Sequence, residues 1–425
     1  MPKLLIYSHD TYGLGNIRRM LAIATDLSSK HADLSILLVS GSPMLHAFRI
    51  PPQIDYIKLP CLGRTQTGKY ISRHSDVSVD QVIRIRANIL KSILVEYQPD
   101  LLLVDKKPLG LEGELRLALQ ALKQCQRQPR LVLLLRDILD SPETTRAIWK
   151  KNHYFDAIDS LYDRVLVVGN QAIFDVAKNY GFPPSVTKKI RYCGYLARQR
   201  SQRSVAETRK QLGLSIKDRL VLVTAGGGDD GAALLSCYLK GLKTSTPVPD
   251  HHSLLLCGSE MSEGQRTQLE ADAAHCRHVQ LREFTDDIMR YMEVADVVVS
   301  MGGYNTVCEL LTLKKNAIVV PRITPVQEQR IRAERMASLD LIQTIHPDQL
   351  TADRLSEAVN TALTNGNVHQ SKLYQIDLNG LDCVEQEIVS LLASPQLATS
   401  APSRQQNSSF VSPGLAGRAA SLVKG

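Results

Sequence analysis

Short apolar runs of four or five residues, each followed by a helical pattern, recur in two separate series along this chain, and that rhythm leaves few folds open. The first series holds Leu4–Ser8, Ser35–Val39, Leu101–Val104, Leu131–Leu135 and Val165–Val168, with helical patterns at about 16–29, 79–97, 112–125 and 171–180. The second holds Leu220–Thr224, Ser253–Cys257, Val279–Arg282, Val297–Ser300 and Ala317–Val320. Runs so uniformly apolar belong to strands buried on both faces, as in parallel sheets covered by helices. A length of 425 residues exceeds one typical core and suits two. The sequence therefore predicts an α/β protein with two Rossmann-like, doubly wound parallel-sheet domains facing a cleft. The expected boundaries are 1–195, a polar and basic linker at 196–217, 218–370, a C-terminal helix region at 371–394, and a tail at 395–425. That tail is rich in Ser, Pro, Ala and Gln, and its apolar surface is too small to offset the entropy of ordering it.

With 44% hydrophobic and 22% charged residues the chain reads as globular, and no apolar run approaches the length of a membrane-spanning helix. The first strand starts at Leu4 with no secretory signal before it, and the eight cysteines are scattered without a C-x-x-C pair. Both features point to a reducing cytoplasm. His275-Cys276-Arg277-His278 lacks a second ligand cluster, so no metal is expected there. The net charge of +8 favours an anionic partner. Between Arg64 and Lys91 six basic residues (Arg64, Lys69, Arg73, Arg84, Arg86, Lys91) outnumber Asp76 and Asp80. They form either a solvated helix face or a peripheral contact with anionic membrane. Only 5% of residues are aromatic and no recognition-helix motif occurs, so nucleic acid is not expected.

Ligands of parallel sheets bind beyond the carboxyl ends of the strands, so the loops there carry the functional reading. The first, Ser8 to Asn16, holds Gly13 and Gly15, which let a ligand come close, with Arg18 and Arg19 adding charge. The second places Gly226, Gly227 and Gly228 before a helix, exposing N–H groups to an anionic oxygen; Asp229 and Asp230 fit dipole-matched caps better than a metal. The third, Ser300 to Glu309, combines Gly302 and Gly303 with Asn305 and Thr306 as caps, and Glu309 as an acceptor for a ribose diol. The fourth, Pro321 to Gln329, offers Glu328 and Gln329 to sugar hydroxyls. A diphosphate, a ribose and a polyhydroxylated ring suit this set, which makes a nucleotide sugar the expected ligand.

These residues resemble GT-B glycosyltransferases of the family 28 type, which includes the peptidoglycan N-acetylglucosaminyl transferase and the galactolipid synthases. Ser8-His-Asp…Gly13-Leu-Gly15 and Leu135-Arg-Asp-Ile-Leu-Asp140 resemble an uncharacterised bacterial branch of them. The resemblance spans about residues 3–365. It is strongest over Glu283-Phe-Thr-Asp-Asp287, Ala295–Ser300, Gly302–Glu309 and Pro321–Gln329. It implies that the backbone at Phe284 and Thr285 holds the base, Glu309 the ribose, Gly226–Gly228 the diphosphate, and Glu328 and Gln329 the donor sugar. It places Arg198 near the diphosphate, and Arg136 and Asp137 on the acceptor side.

Two positions depart from the pattern. Asn16 stands where the family has a histidine, its favoured general base, and an amide takes no proton near neutrality. Met301 stands where the lipid-intermediate transferase has an arginine. His9, Asp10 or Asp137 must then supply the base, with His9 favoured by its ordinary pKa. The resemblance implies a metal-independent hexosyltransferase using a UDP-linked donor and a hydroxyl acceptor, which in the peptidoglycan member is lipid-linked. Two other readings share these residues: a nucleotide-sugar-binding protein that does not catalyse, and a UDP-sugar 2-epimerase.

Overall fold

A computed structural model describes residues 1–9, 15–65, 69–72, 76–122, 125, 127–228, 230–244 and 250–394. Asp10, Gly13 and Asp229 lie outside the described residues, as does the expected tail at 395–425.

Two all-parallel sheets form, one per series. The first has seven strands in the spatial order Ile54–Lys58, Ser35–Ser40, Lys3–Ser8, Leu101–Asp105, Arg130–Arg136, Arg164–Val168 and Ile190–Tyr192. The second has six, in the order Val279–Arg282, His252–Leu256, Leu220–Thr224, Val297–Ser300, Asn316–Val319 and Gln343–Thr344. The central strands are buried along their whole length, Leu101–Asp105 and Leu220–Thr224 among them, which is why their sequences do not alternate. Register places Tyr7 beside Val104, and Thr224 beside Ser300. Neighbouring strands thus finish together, and the loops that follow them gather on one edge of each sheet.

The carboxyl edges of the two sheets face each other, and side chains join them. Tyr304 Oη donates to the Val168 carbonyl at 2.9 Å, and the Asn305 amide donates to Gly15 O at 3.0 Å. Arg332 Nε and Nη2 donate to Asp137 at 2.7 and 2.8 Å, and Gln327 N donates to Asp140 Oδ1 at 3.0 Å. These contacts bridge the cleft.

Several expectations need correction. The segment 196–217 is not a plain linker: it carries the helix Val205–Gln211, whose Ser204 and Glu207 form a complete capping box. The helix expected over 112–125 is Arg116–Leu122, because Glu112 and Gly113 both take positive φ and interrupt it. Asp230 pairs with Arg322 at 3.5 Å. Arg86 is no part of a solvated basic face: it is fully buried, paired with Glu114 and donating to Pro60 O at 2.7 Å. The helix Gly380–Ala393 returns to the first lobe, where Asp382 meets Lys30 at 2.6 Å and Glu385 meets His31 at 2.7 Å. All eight cysteines are free, and among the described residues no helix is long and apolar enough to cross a membrane.

Candidate active site

On the first lobe the edge begins with His9, one residue past the strand Lys3–Ser8 and nearly buried. Its Nδ1 lies 3.2 Å from Asp105 Oδ2, within ion-pair reach but not aligned as a finished hydrogen bond. Burial opposes ionisation of Asp105, yet the Arg19 guanidinium and His9 outweigh it and hold the carboxyl well below its usual range. Burial also dominates at His9, pushing its pKa down to about 4 despite the neighbouring carboxylate. The imidazole is therefore neutral near pH 7.

Its tautomer follows from its neighbours. Arg19 can only donate, and its Nη2 reaches Asn16 Oδ1 at 3.1 Å, so the Asn16 amide must turn its NH2 group elsewhere. That group points at His9 Nε2, 3.5 Å away. Nδ1 then carries the proton, facing Asp105, and Nε2 carries the lone pair. Asn16, in place of the expected histidine, thus orients His9 rather than replacing it.

Asp137 does not stand free as a base. Arg332 grips both its oxygens, Tyr195 Oη donates to Oδ2 at 2.9 Å, and Ile138 N donates to Oδ1 at 2.7 Å. A carboxylate so engaged has no lone pair aimed at a substrate. The neighbouring Arg136 pairs with Glu328 at 2.6 Å. Lys106, at positive φ, directly follows the strand Leu101–Asp105. Burial and then Arg136 push its ammonium down to about 7.

On the second lobe Gly226 is exposed with nothing within 4 Å of its would-be Cβ, and Gly227 would meet only the Glu260 side chain. Gly228, at φ +98°, would press into Cys257 O, so that glycine serves packing. Thr224 and Ser300 pair in register, which sets this loop beside Met301–Gly303. The helix Tyr304–Leu313 starts without a side-chain cap, its N-cap being Gly303. Asn305 and Thr306 thus do not cap it as expected. Asn305 instead accepts from Arg198 and donates across the cleft to Gly15 O, and Thr306 is buried in the first turn. The uncapped N–H groups at this helix start are free to meet an anion.

Glu309 is 1% exposed, and Arg18 of the opposite lobe donates to its Oε1 at 2.6 Å. Its Oε2 is buried with no partner among the described residues. Such an orphaned acceptor is costly unless a ligand completes it. Glu328 faces Arg136 and, at 3.4 Å, Arg332; these arginines outweigh burial and hold its carboxyl below the usual range. Gln329 Oε1 accepts from Arg322 N at 3.1 Å, with its amide nitrogen towards Gly303. Phe284 is 53% exposed on the loop after Val279–Arg282, and Thr285 Oγ1 accepts from Asp287 N. Arg198 keeps a buried, unpartnered Nε.

The structure therefore gathers His9, Asn16, Arg136 and Asp137 on one edge, and Gly226, Gly302, Gly303, Asn305, Glu309, Glu328 and Gln329 on the other. Sequence reasoning missed Asp105, Lys106, Arg18 as a partner of Glu309, and Arg332. A signal existed for Asp105, an ionisable residue ending an apolar run at the carboxyl end of a strand. None existed for Arg332, which reads as one more charge on a polar helix.

Residues 220–380 match the model of the glycosyltransferase family 28 C-terminal domain. An uncharacterised glycosyltransferase of Methanopyrus kandleri is 26% identical over 155 residues, 36% of this chain and 41% of that protein. The Vibrio atlanticus UDP-N-acetylglucosamine--N-acetylmuramyl-(pentapeptide) pyrophosphoryl-undecaprenol N-acetylglucosamine transferase is 32% identical over 144 residues, 34% of this chain and 40% of that protein. The matches thus span about two-fifths of these curated relatives. The crystal structure of Acinetobacter baumannii MurG superposes with a TM-score of 0.59 over 92% of this chain and all of that one, at 14% identity, a likeness of fold. Residues 220–380 thus match the glycosyltransferase family 28 C-terminal domain, and the two-lobed fold that carries them is that of the GT-B structures.

Proposed function

We propose that this protein transfers a hexosyl group from a UDP-linked sugar to a hydroxyl acceptor. The observation that carries this reading is the opposition of two edges: a neutral His9 backed by Asp105 on one, and on the other a family 28 domain whose buried Glu309 keeps an oxygen unpartnered. Glu309 accepts from the ribose diol. The N–H groups at the Gly226–Gly228 loop and at the Tyr304 helix start take the diphosphate, with Arg198 beside them. His9 Nε2 accepts the acceptor's proton as its oxygen bonds to the anomeric carbon and the bond to the diphosphate breaks. Fixed dipoles and arginine, rather than a bound metal, stabilise that departing charge.

The acceptor enters from the first lobe. Exposed Ile71 and Ile85 lie on the strand Tyr70–Ser72 and the helix Val79–Tyr97, with Lys69 and Arg84 close by. This surface suits peripheral contact with anionic membrane and hence a lipid-linked acceptor. Flotation with anionic liposomes tests it: binding at low salt and release at high salt support the contact, and no binding at low salt removes it.

A thermal-shift screen over UDP-, GDP- and TDP-sugars tests the donor. A ligand at a hundredfold its dissociation constant stabilises by about 2.7 kcal/mol. Glu309→Ala abolishes that shift; if no nucleotide sugar shifts the wild-type protein, the reading fails. One observation favours a binding protein without turnover: the Asn16 amide occupies the His9 lone pair. Donor binding with neither transfer nor donor hydrolysis would establish that alternative.

A further inference from the structure

Arg18 is out of keeping with the other arginines of the cleft. Arg19, its neighbour, is buried and held by Asp105; Arg332 is buried and held by Asp137; Arg136 is held by Glu328. Each of those guanidiniums is at most 12% exposed. Arg18 is about one-third exposed, and its partner is Glu309, the carboxylate assigned above to the ribose. The contact is also incomplete. One nitrogen reaches Oε1, and Oε2 is left bare although a guanidinium can serve both oxygens of a carboxylate. A ribose diol brings two O–H donors to those two oxygens, and so satisfies Glu309 better than Arg18 does.

What becomes of the displaced guanidinium follows from its tether. The Asn305 amide donates to Gly15 O at 3.0 Å, so the starts of the helices Gly15–Lys30 and Tyr304–Leu313 abut. Arg18 projects from the first turn of one onto Glu309 of the other, whose first turn carries the uncapped N–H groups. A diphosphate placed at that helix start brings two negative charges near the buried Glu309. At low local dielectric such like charges repel strongly unless a cation stands between them. Met301, just before Gly302, supplies none, and the Arg198 guanidinium beside this helix start is engaged by Asn305.

We propose that Arg18 is exchanged on donor binding: it neutralises Glu309 in the empty cleft, yields that carboxylate to the ribose, and moves onto the donor's diphosphate. Arg18 is then a catalytic residue of the first lobe that stabilises the leaving group formed in the second. This rests on the donor-site reading above and adds to it a residue from the opposite lobe.

Full-length wild-type, Arg18→Gln and Arg18→Lys proteins are titrated with uridine, UMP and UDP by calorimetry, with melting temperature as the check on folding. Exchange predicts that Arg18→Gln binds UDP at least tenfold more weakly while holding uridine as tightly or more tightly, because nothing now competes for Glu309. Arg18→Lys retains most of the preference for UDP over uridine, and that preference shrinks with added salt. Arg18→Gln also lowers kcat by about a hundredfold, the usual effect of losing one donor to a developing anion. Equal loss of uridine and UDP overturns the proposal, since Arg18 would then only shape the site. Unchanged binding of both overturns it as well. Failure of the wild-type protein to bind any of these ligands, or the guanine and thymine equivalents, rejects the donor site itself.

Discussion

A single histidine carries the chemistry proposed for the first lobe, and its environment makes definite demands on pH. Because burial pushes His9 down to about 4, the group is an unprotonated base across the neutral range. The acid limb of kcat/KM should lie near pH 4 rather than near 6.5, the ordinary histidine value. The same shift affects stability. An unfolded chain takes up this proton below about pH 6.5, whereas the folded one resists until about 4. The contribution of His9 is thus fully present above 6.5 and is lost as pH falls through that window, by roughly 3 kcal/mol. His9→Gln should remove that segment of the pH dependence, read by denaturant unfolding at pH 7 and pH 5. It should also reduce kcat by about 10²–10⁴ while donor binding stays intact. Retained activity in His9→Gln would exclude it as the base.

Among the elements, the glycine loop after Leu220–Thr224 separates packing from binding within three residues. Gly228 is at φ +98°, where a methyl group would sit 2.3 Å from Cys257 O. Gly228→Ala should destabilise by more than the roughly 1–2 kcal/mol that left-handed backbone alone costs. Gly226 is also left-handed, at φ +69°, but its methyl would enter open space. Gly226→Ala should therefore cost only the roughly 1–2 kcal/mol of the left-handed backbone, less than Gly228→Ala, and yet abolish the thermal shift from nucleotide sugars. A variant that binds donor normally would show that this loop does not cradle the phosphates. Local patterns anticipated most strands of both sheets, among them Leu220–Thr224, Val279–Arg282 and Val297–Ser300 to the residue. They missed Ile54–Lys58, Ile190–Tyr192 and Gln343–Thr344, edge or near-edge strands whose polar residues break the apolar run. The Ser204/Glu207 capping box was readable in the segment taken for a linker, because its S-x-x-E spacing is local.

For the whole molecule, the joint between lobes depends on a buried pair. Arg332 and Asp137 are fully buried in opposite lobes, so removing one strands the other's charge. Arg332→Met should cost about 3–5 kcal/mol of the coupling between lobes. The expected readout in calorimetry is a melt split into two transitions, the second lobe separating from the first. Combining it with Asp137→Asn should recover part of the loss, because no uncompensated charge then remains. Purely additive losses would mean that the pair does not couple the lobes. The Gly380–Ala393 helix, which reaches back to Lys30 and His31, contributes a second tie.

Apolar periodicity determined by itself that this chain makes two parallel sheets, since alternating and continuous burial leave different residue patterns. The glycine-rich loops were equally visible, because a backbone that turns sharply needs glycine wherever the turn falls. Pairing between residues far apart carries no local pattern. That Arg18 meets Glu309 and that Arg332 meets Asp137 are consequences of two sheet edges brought face to face. Only the tertiary structure decides such meetings, since charged side chains on polar helices look alike in sequence whether solvent or another lobe stands opposite.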